Sequence, residues 1–492
     1  MLAAGATVAG ALAGEHFGMA VIAIAGLTSA TAALTIGRRR AAGAETGAVL
    51  GLVALGLLGA LSMTRAVAGL DGPLAGLARR GEEVVVAAHL VDDPAGGRAG
   101  VRALARLEAG GWRGHVLVEA RGEAAMRLRL LAAGETAVLA GRLRPLEGRA
   151  RTARWRHAAG ALVADDLLAA RPGSSAFRLA NRLRALVLRG SAPLPAGERA
   201  LVAGFLVGDD RELPPETARQ FRLAGLSHLL VVSGANVALA LVVARPLLRR
   251  FGLLGRLVGG MAVLGLFAAM TRFEPSVLRA SAMAGLSLLA AFLGRPSSGT
   301  RLLALAVTAL VLADPFLVHS LGFQLSCGAS AGIVLLAAPM AVRLPGPGFV
   351  RQPLAVTAAA QVGVAPVALP AFGSLPLVAL PANLLAAPAA AALTVWGLGS
   401  GLAGGLLERA WPAGAGWLQL PTGALARYLS GVAALASRFP LTVTAGQAAM
   451  VAVIAGGFAL RRGRRSRFSV PAPAPAVPPV TAPGRGRTAP VR

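Results

Sequence analysis

Apolar and polar positions follow three rhythms along this chain. Long apolar runs come first: a Gly-rich stretch at 2–14, a longer one from about Phe17 to Ile36 beyond Glu15 and His16, and a third from about Ala48 to Ala68. Such runs predict membrane helices, a full crossing taking about 20 residues. From about Gly81 to Ala170 the hydropathy drops and the period shortens toward two. The segments EEVVVAAHLV, VRALARLE, GHVLVEA, ETAVLAGRL and ALVADDLLA, set apart by Gly- and Arg-rich turns, predict five short strands and a small OB-like β-barrel. A helical period returns at 176–190, where Arg studs one face of an amphipathic helix expected along the lipid headgroups.

Apolar spans then follow at about 226–244, 252–271, 276–294, 302–313, 316–338, 354–373, 377–404, 424–437 and 446–460. Several are too short to cross alone and read as re-entrant pieces or half-helices. Ser233 with Gly234 marks a break, and Pro366, Pro370, Pro376, Pro381 and Pro388 are expected to interrupt the later spans in the same way. The predicted fold class is mainly α: a polytopic membrane helical bundle with an inserted small β-barrel domain. Its expected divisions are N-terminal membrane helices at 1–70, the barrel at 79–172, the amphipathic helix at 176–200, the main membrane domain at 201–460 and a basic, Pro-rich disordered tail at 461–492.

Composition agrees with a membrane chain: 55% of the 492 residues are hydrophobic, 14% are charged and the mean hydropathy is +0.65. Charge adds a sign. The 49 basic residues, all Arg, face 22 acids, and beyond Glu216 only Glu274, Asp314 and Glu408 remain against 23 Arg. That skew suits positive-inside anchoring and also a polyanionic passenger. The triplet Arg38, Arg39 and Arg40 in a short loop is expected in the cytoplasm, which places the barrel on the external face of a cell-membrane protein and the tail inside. The N-terminus lacks a basic region and a small-residue cleavage site, so its apolar start reads as retained helix. A single cysteine, Cys327, excludes an internal disulfide and a thiolate zinc cluster.

Each chemical motif has a plain structural reading beside it. Gly208, Asp209 and Asp210 precede a Pro-Pro helix start; paired carboxylates suit a divalent cation, while capping or pairing with Arg211 is the structural reading. In GLSHLLVVSGAN, His228 and Ser233 lie five apart and face one way only if the helix breaks. Arg279, inside the apolar PSVLRASAMAG, needs an acceptor: Glu274, Asp314 and main-chain carbonyls on one reading, a phosphate in a wet lumen on the other. GASAG around Ser330 has the look of a protease serine loop with His319 or His228 as base, yet Gly328 and Gly332 have the spacing of helix packing. On the barrel, Arg142, Arg144, Arg149, Arg151, Arg154 and Arg156 form a dense basic run, with Trp112 and Trp155 as aromatic platforms, fit for a single nucleic-acid strand or for plain solvation. No Walker loop, zinc helix or dinucleotide fingerprint occurs, so no cofactor, metal site or catalytic residue is assigned.

Four segments, LVGDDRELPPETARQFRLAGLSHLLVVSGANVAL, PSVLRASAMAGLSLLAAFLGRP, ADPFLVHSLGFQLS and QVGVAPVALPAFGSLPLVALPANLLAAP, resemble in order and spacing the ComEC competence-protein family. The resemblance covers about Leu201 to Leu393, and the barrel resembles that family's OB-like domain. Gly208, Asp209, Gly225, His228, Ser233, Gly234, Arg279, Asp314, Pro315, Gly322, Phe323, Gln324, Ser326, Pro381, Asn383 and Pro388 fall on its motif positions, whereas Asn236 stands where many members carry His. The resemblance implies a channel conducting single-stranded DNA inward during natural transformation. Gly208, Asp209, His228, Ser233, Gly234, Asn236, Arg279, Asp314, Gln324, Ser326 and Asn383 are then candidates for the path or its motifs. It also implies an external DNA receptor protein and a cytoplasmic ATP-dependent DNA translocase. The HxHxDH motif of the family's metallo-β-lactamase-like nuclease is absent from this sequence, which leaves a separate nuclease chain, a split or truncated gene, or another role open, as is self-association. The rival readings are an intramembrane serine protease and a small-solute transporter.

Overall fold

The computed structural model describes residues 1–16, 43–97, 100–109, 112–439, 441–444 and 446–447. The expected span at 17–36, the Arg38–Arg40 loop, most of the span at 446–460 and the tail at 461–492 lie outside them. The chain divides into a unit of residues 1–442, which carries everything below, and a second of 443–492, nearly all of it outside the described residues.

Helix α1 (Leu2–His16) lies along α2 (Gly43–Leu70), and the short amphipathic α3 (Pro73–Arg80) leads into the barrel. The barrel's strands are β1 (Glu83–Leu90), β2 (Ala95–Gly97), β3 (Gly100–Ala109), β4 (Trp112–Ala120), β5 (Thr136–Arg144) and β6 (Ala158–Arg171), with α4 (Gly122–Leu128) between β4 and β5. Five of them close a ring in the order β1-β5-β6-β4-β3 and back to β1, while β2 hangs on β3. All pairs are antiparallel except β4 with β6. Alternation explains the closure: Val86, Ala88 and Leu90, or Val116 and Val118, point inward and fill a shared core with Leu107, Leu139 and Leu162.

The helices beyond the barrel are α5 (Ser175–Gly190), α6 (Ala196–Val207), α7 (Pro215–Leu223), α8 (Ser227–Leu230), α9 (Gly234–Leu248), α10 (Leu253–Met270), α11 (Pro275–Phe292), α12 (Gly299–Ala313), α13 (Leu321–Arg343), α14 (Gly348–Phe372), α15 (Ala379–Leu407) and α16 (Pro412–Ser437). Six described helices are long and apolar enough to cross a membrane: Gly51–Arg80, which takes in α3, then α10, α11, α13, α14 and α15. This is a multi-pass membrane protein. Leu201, Phe205, Leu206, Val232, Leu264, Val277, Leu393 and Leu429 form the main core, drawn from α6, α9 and its approach, α10, α11, α15 and α16.

Two sequence expectations need correction. The prolines at 366, 370 and 388 do not interrupt their spans, because α14 and α15 run on as continuous helices through them. Helix interiors in lipid tolerate proline where neighbouring groups re-satisfy the freed carbonyls. Pro381 sits in the first turn of α15, where its missing N–H costs nothing. The segment at 316–338 is likewise two pieces: a 3₁₀ turn, Pro315–His319, followed by α13.

Candidate functional site

The break expected at Ser233 is present, and it builds the site. Helix α8 lasts four residues; Val231 (φ −109°, ψ 142°) and Ser233 (φ −94°, ψ 162°) are extended before α9 opens at Gly234. β-Branched Val231 and Val232 favour that extended backbone. The Val232 carbonyl, freed by the break, accepts from Ser276 Oγ at 2.8 Å. Asn236, 5% exposed, donates Nδ2 to the Phe205 carbonyl at 2.9 Å and takes Ser233 Oγ and Thr394 Oγ1 on Oδ1 at 3.2 and 3.3 Å. It therefore ties α6, α9 and α15 together. His228 is exposed on α8.

Arg279 comes from α11, about 6 Å along the helix from Pro275 at 1.5 Å per residue. It is buried; its Nε donates to Ser326 Oγ at 2.8 Å and its Nη1 reaches Met283 Sδ at 3.0 Å. Neither expected carboxylate answers it. Asp314 Oδ1 instead meets His157 Nε2 of the barrel at 2.9 Å and caps the 3₁₀ turn through the Phe316 N–H. Glu274 is half-buried at the barrel side, where burial pushes its carboxyl above the usual range against the pull of Arg156. Among the described residues Arg279 makes no ion pair. Of the other motif amides, Gln324 Nε2 donates to the Val318 carbonyl at 2.6 Å, closing the junction before α13, and Asn383 Nδ2 donates to Ala379 at 2.9 Å within α15.

Asp209 belongs to a different assembly. Gly208, left-handed at φ 71°, ends α6 and turns Asp209 toward the barrel. There Arg211 grips both Asp209 oxygens at 2.7 and 2.6 Å, and Arg184 Nη2 reaches Oδ2 at 3.1 Å. Arg184 Nη2 also lies 3.3 Å from Asp93 Oδ2, while Arg272 Nη2 holds Asp93 Oδ1 at 2.7 Å. Carbonyls of Val207 and Met270 complete the shell of Arg184. Burial works to raise the Asp93 carboxyl, but Arg272 and Arg184 overcome it and hold it below the usual range; Asp209 is held low in the same way by Arg211 and Arg184. The cluster locks the β1–β2 loop to α5, the end of α6 and the turn after α10. The sequence held one signal for it: Arg184 shares the helix face of Ala180 and Val187, a buried stripe at i, i+4 and i+7. Asp93 and Arg272, from a loop and a turn, carried none.

A second seam joins the barrel to the turn before α13. Trp155 stacks on His319, ring centroids 3.9 Å apart and 23° from parallel, and meets Phe316 edge-on at 5.7 Å. His319 Nε2 lies 2.9 Å from Glu15 Oε2 of α1. One face of Trp155 is thus taken by the bundle. Arg154 lies over the Trp155 ring, its guanidinium carbon 4.7 Å from the centroid. Arg156 pairs with Asp92 at 2.9 Å and Arg142 with Glu83, while Arg144 and Arg151 are exposed. The side chains of Arg149 and Trp112 lie outside the described ones.

Gly328 and Gly332 press against α14. A Cβ on Gly332 would lie 2.1 Å from the Ala359 carbonyl oxygen, and one on Gly328 2.6 Å from that of Gly363. Small residues at this spacing let two membrane helices touch along their backbones. Ser330, two residues from each on the same helix, faces away from that seam.

The family model described as Competence protein matches residues 205–463. ComE operon protein 3 of Bacillus subtilis (strain 168) is 26% identical over 197 residues, 40% of this chain and 25% of that protein. An uncharacterized protein of Aquifex aeolicus (strain VF5) is 34% identical over 139 residues, 28% of this chain and 33% of that protein. The uncharacterized protein YcaI of Escherichia coli (strain K12) is 27% identical over 213 residues, 40% of this chain and 28% of that protein. The matches thus span between a quarter and a third of the length of these relatives. No solved structure matches the chain.

Proposed function

The chain belongs to the competence protein family, and from that premise we propose that it acts in DNA uptake as a passage for one DNA strand through the cell membrane. The observation that carries this reading is Arg279: a guanidinium buried among apolar helices, bonded to a hydroxyl and a thioether, and paired with no carboxylate among the described residues. Ionisable groups within membrane helices are costly, face the bundle interior or a wet cavity and are usually paired, so an unpaired guanidinium there reads as functional. A passing phosphodiester would supply the missing anion. The bundle's shortage of acids beyond Glu216 leaves little to repel it.

The barrel is locked over the same region through Asp93 and Arg184, and its exposed Arg144 and Arg151 suit a phosphate backbone held by charge. Its five-stranded ring, with a helix between the third and fourth ring strands, supports reading it as an OB-like platform. We place this platform on the external face and assign no catalysis to the chain. Pulling the strand would fall to a cytoplasmic ATP-dependent translocase and presentation to an external receptor.

Removing the gene from a transformable host and following labelled donor DNA tests the proposal. Strand entry is expected to stop; unchanged entry without the protein rejects it.

A further inference from the structure

The first turn of α9 and the guanidinium of Arg279 share one niche, where Arg279 Nη2, unlike its Nε and Nη1, meets no protein acceptor among the described residues. Ser233, at the N-cap, turns its hydroxyl to Asn236 and does not cap the turn. The Asn236 N–H finds the Ser233 carbonyl at 3.0 Å, but the N–H groups of Gly234 and Ala235 meet no protein acceptor among the described residues. Arg279 is 8% exposed, and its Nη2 faces Gly234 so closely that a Cβ there would stand 2.6 Å away. The niche is open at one side, since Ala235 is exposed and Ser233 half-buried. A helix N-terminus carries roughly half a positive charge on N–H groups that point outward, and a guanidinium offers a planar pair of donors.

We propose that this niche is a phosphate station, in which the Gly234 and Ala235 N–H groups and Arg279 Nη2 hold the non-bridging oxygens of a phosphodiester. The station rests on the strand-passage reading and gives it a defined contact. Gly234 is part of it, because a methyl group would push the guanidinium aside and fill the mouth. Three donors and no deep cage make a contact that holds weakly and releases, as conduction demands.

Ser326 provides the probe position, its Oγ lying 2.8 Å from Arg279 Nε. The full chain carrying Ser326→Cys and Cys327→Ser is placed in phosphatidylcholine nanodiscs. It is labelled with an anionic sulfonatoethyl or a cationic trimethylammonioethyl methanethiosulfonate, each rate being normalised to that with free cysteine. The anionic reagent is expected to lead by about tenfold, reflecting local concentration by the unpaired charge. Arg279→Gln is expected to erase the lead, and a short single-stranded oligothymidylate to slow labelling. Should Arg279→Gln fail to accumulate, Gly234→Ala gives the second reading, in which protection by the oligonucleotide is lost while the arginine remains. Equal normalised rates, a lead that survives Arg279→Gln, protection that survives Gly234→Ala, or no labelling by either reagent would overturn the station. Protection by inorganic phosphate or glycerophosphoglycerol, with none by the oligonucleotide, overturns the strand as its occupant. Failure of the passage reading itself is scored separately, by strand entry in cells.

Discussion

At the scale of single residues, the charges that matter most are the ones withdrawn from water. Arg184 is 5% exposed and shared between Asp93 and Asp209, so removing it leaves one buried carboxylate to Arg272 alone and the other to Arg211 alone. Removing one partner of a buried ion pair costs about 3–5 kcal/mol where the other is left uncompensated, and less where a second guanidinium remains. Arg184→Met is therefore expected to lower the melting temperature of the full chain and to expose the β1–β2 loop to protease; an unchanged melt and digestion pattern would remove the cluster's locking role. His115 makes a second case. Burial, with His157 and Arg106 adding like charge, lowers its pKa from 6.5 to about 4. Above pH 6.5 its ring is largely neutral whether the chain is folded or not. Between 6.5 and about 4 the unfolded chain takes up a proton that the folded barrel refuses, so stability falls as pH falls through that window. Melting across it should show the decline, and His115→Phe should flatten His115's share of it; an equal decline in both proteins would assign the effect elsewhere.

At the scale of elements, period and punctuation made much of the fold legible, and the failures have physical causes. Alternation in EEVVVAAHLV and GHVLVEA marked strands whose inward residues close the ring, and Ser233–Gly234 marked the break that opens α9. The prolines of α14 and α15 misled, because membrane helices tolerate proline where neighbouring groups and local adjustments re-satisfy the freed carbonyls. Arg279 announced itself as a charge in an apolar run, but its relation to Gly234 did not, since 45 positions of chain separate residues that only tertiary packing joins. Asp93 and Arg272 were invisible for the same reason. GASAG shows how an element decides between readings: its glycines are consumed by contact with α14. Gly332→Ala should force α13 from α14 and destabilise the full chain in detergent by about 1–3 kcal/mol, the usual overpacking cost. Gly399→Ala, where a Cβ would meet nothing within 4 Å, should leave the melt unchanged; equal effects would remove the packing argument.

At the scale of the whole molecule, a basic barrel is fastened to a membrane bundle through two seams, and motif residues from α9, α11 and α13 converge near that junction. The cluster around Arg184 fixes the barrel from one side, and the stack of Trp155 on His319, with His157 on Asp314, fixes it from another. A rigid platform above a charged niche makes physical sense if a flexible polyanion must be threaded, since positioning then precedes passage. The direct measurement is strand transfer across a planar bilayer containing the purified full chain, with single-stranded DNA added on one side, a driving voltage applied, and strands recovered on the other side counted by amplification. Recovery well above that of a protein-free bilayer is expected, reduced when Arg279 is replaced by Gln; recovery no greater than through lipid alone would contradict strand passage.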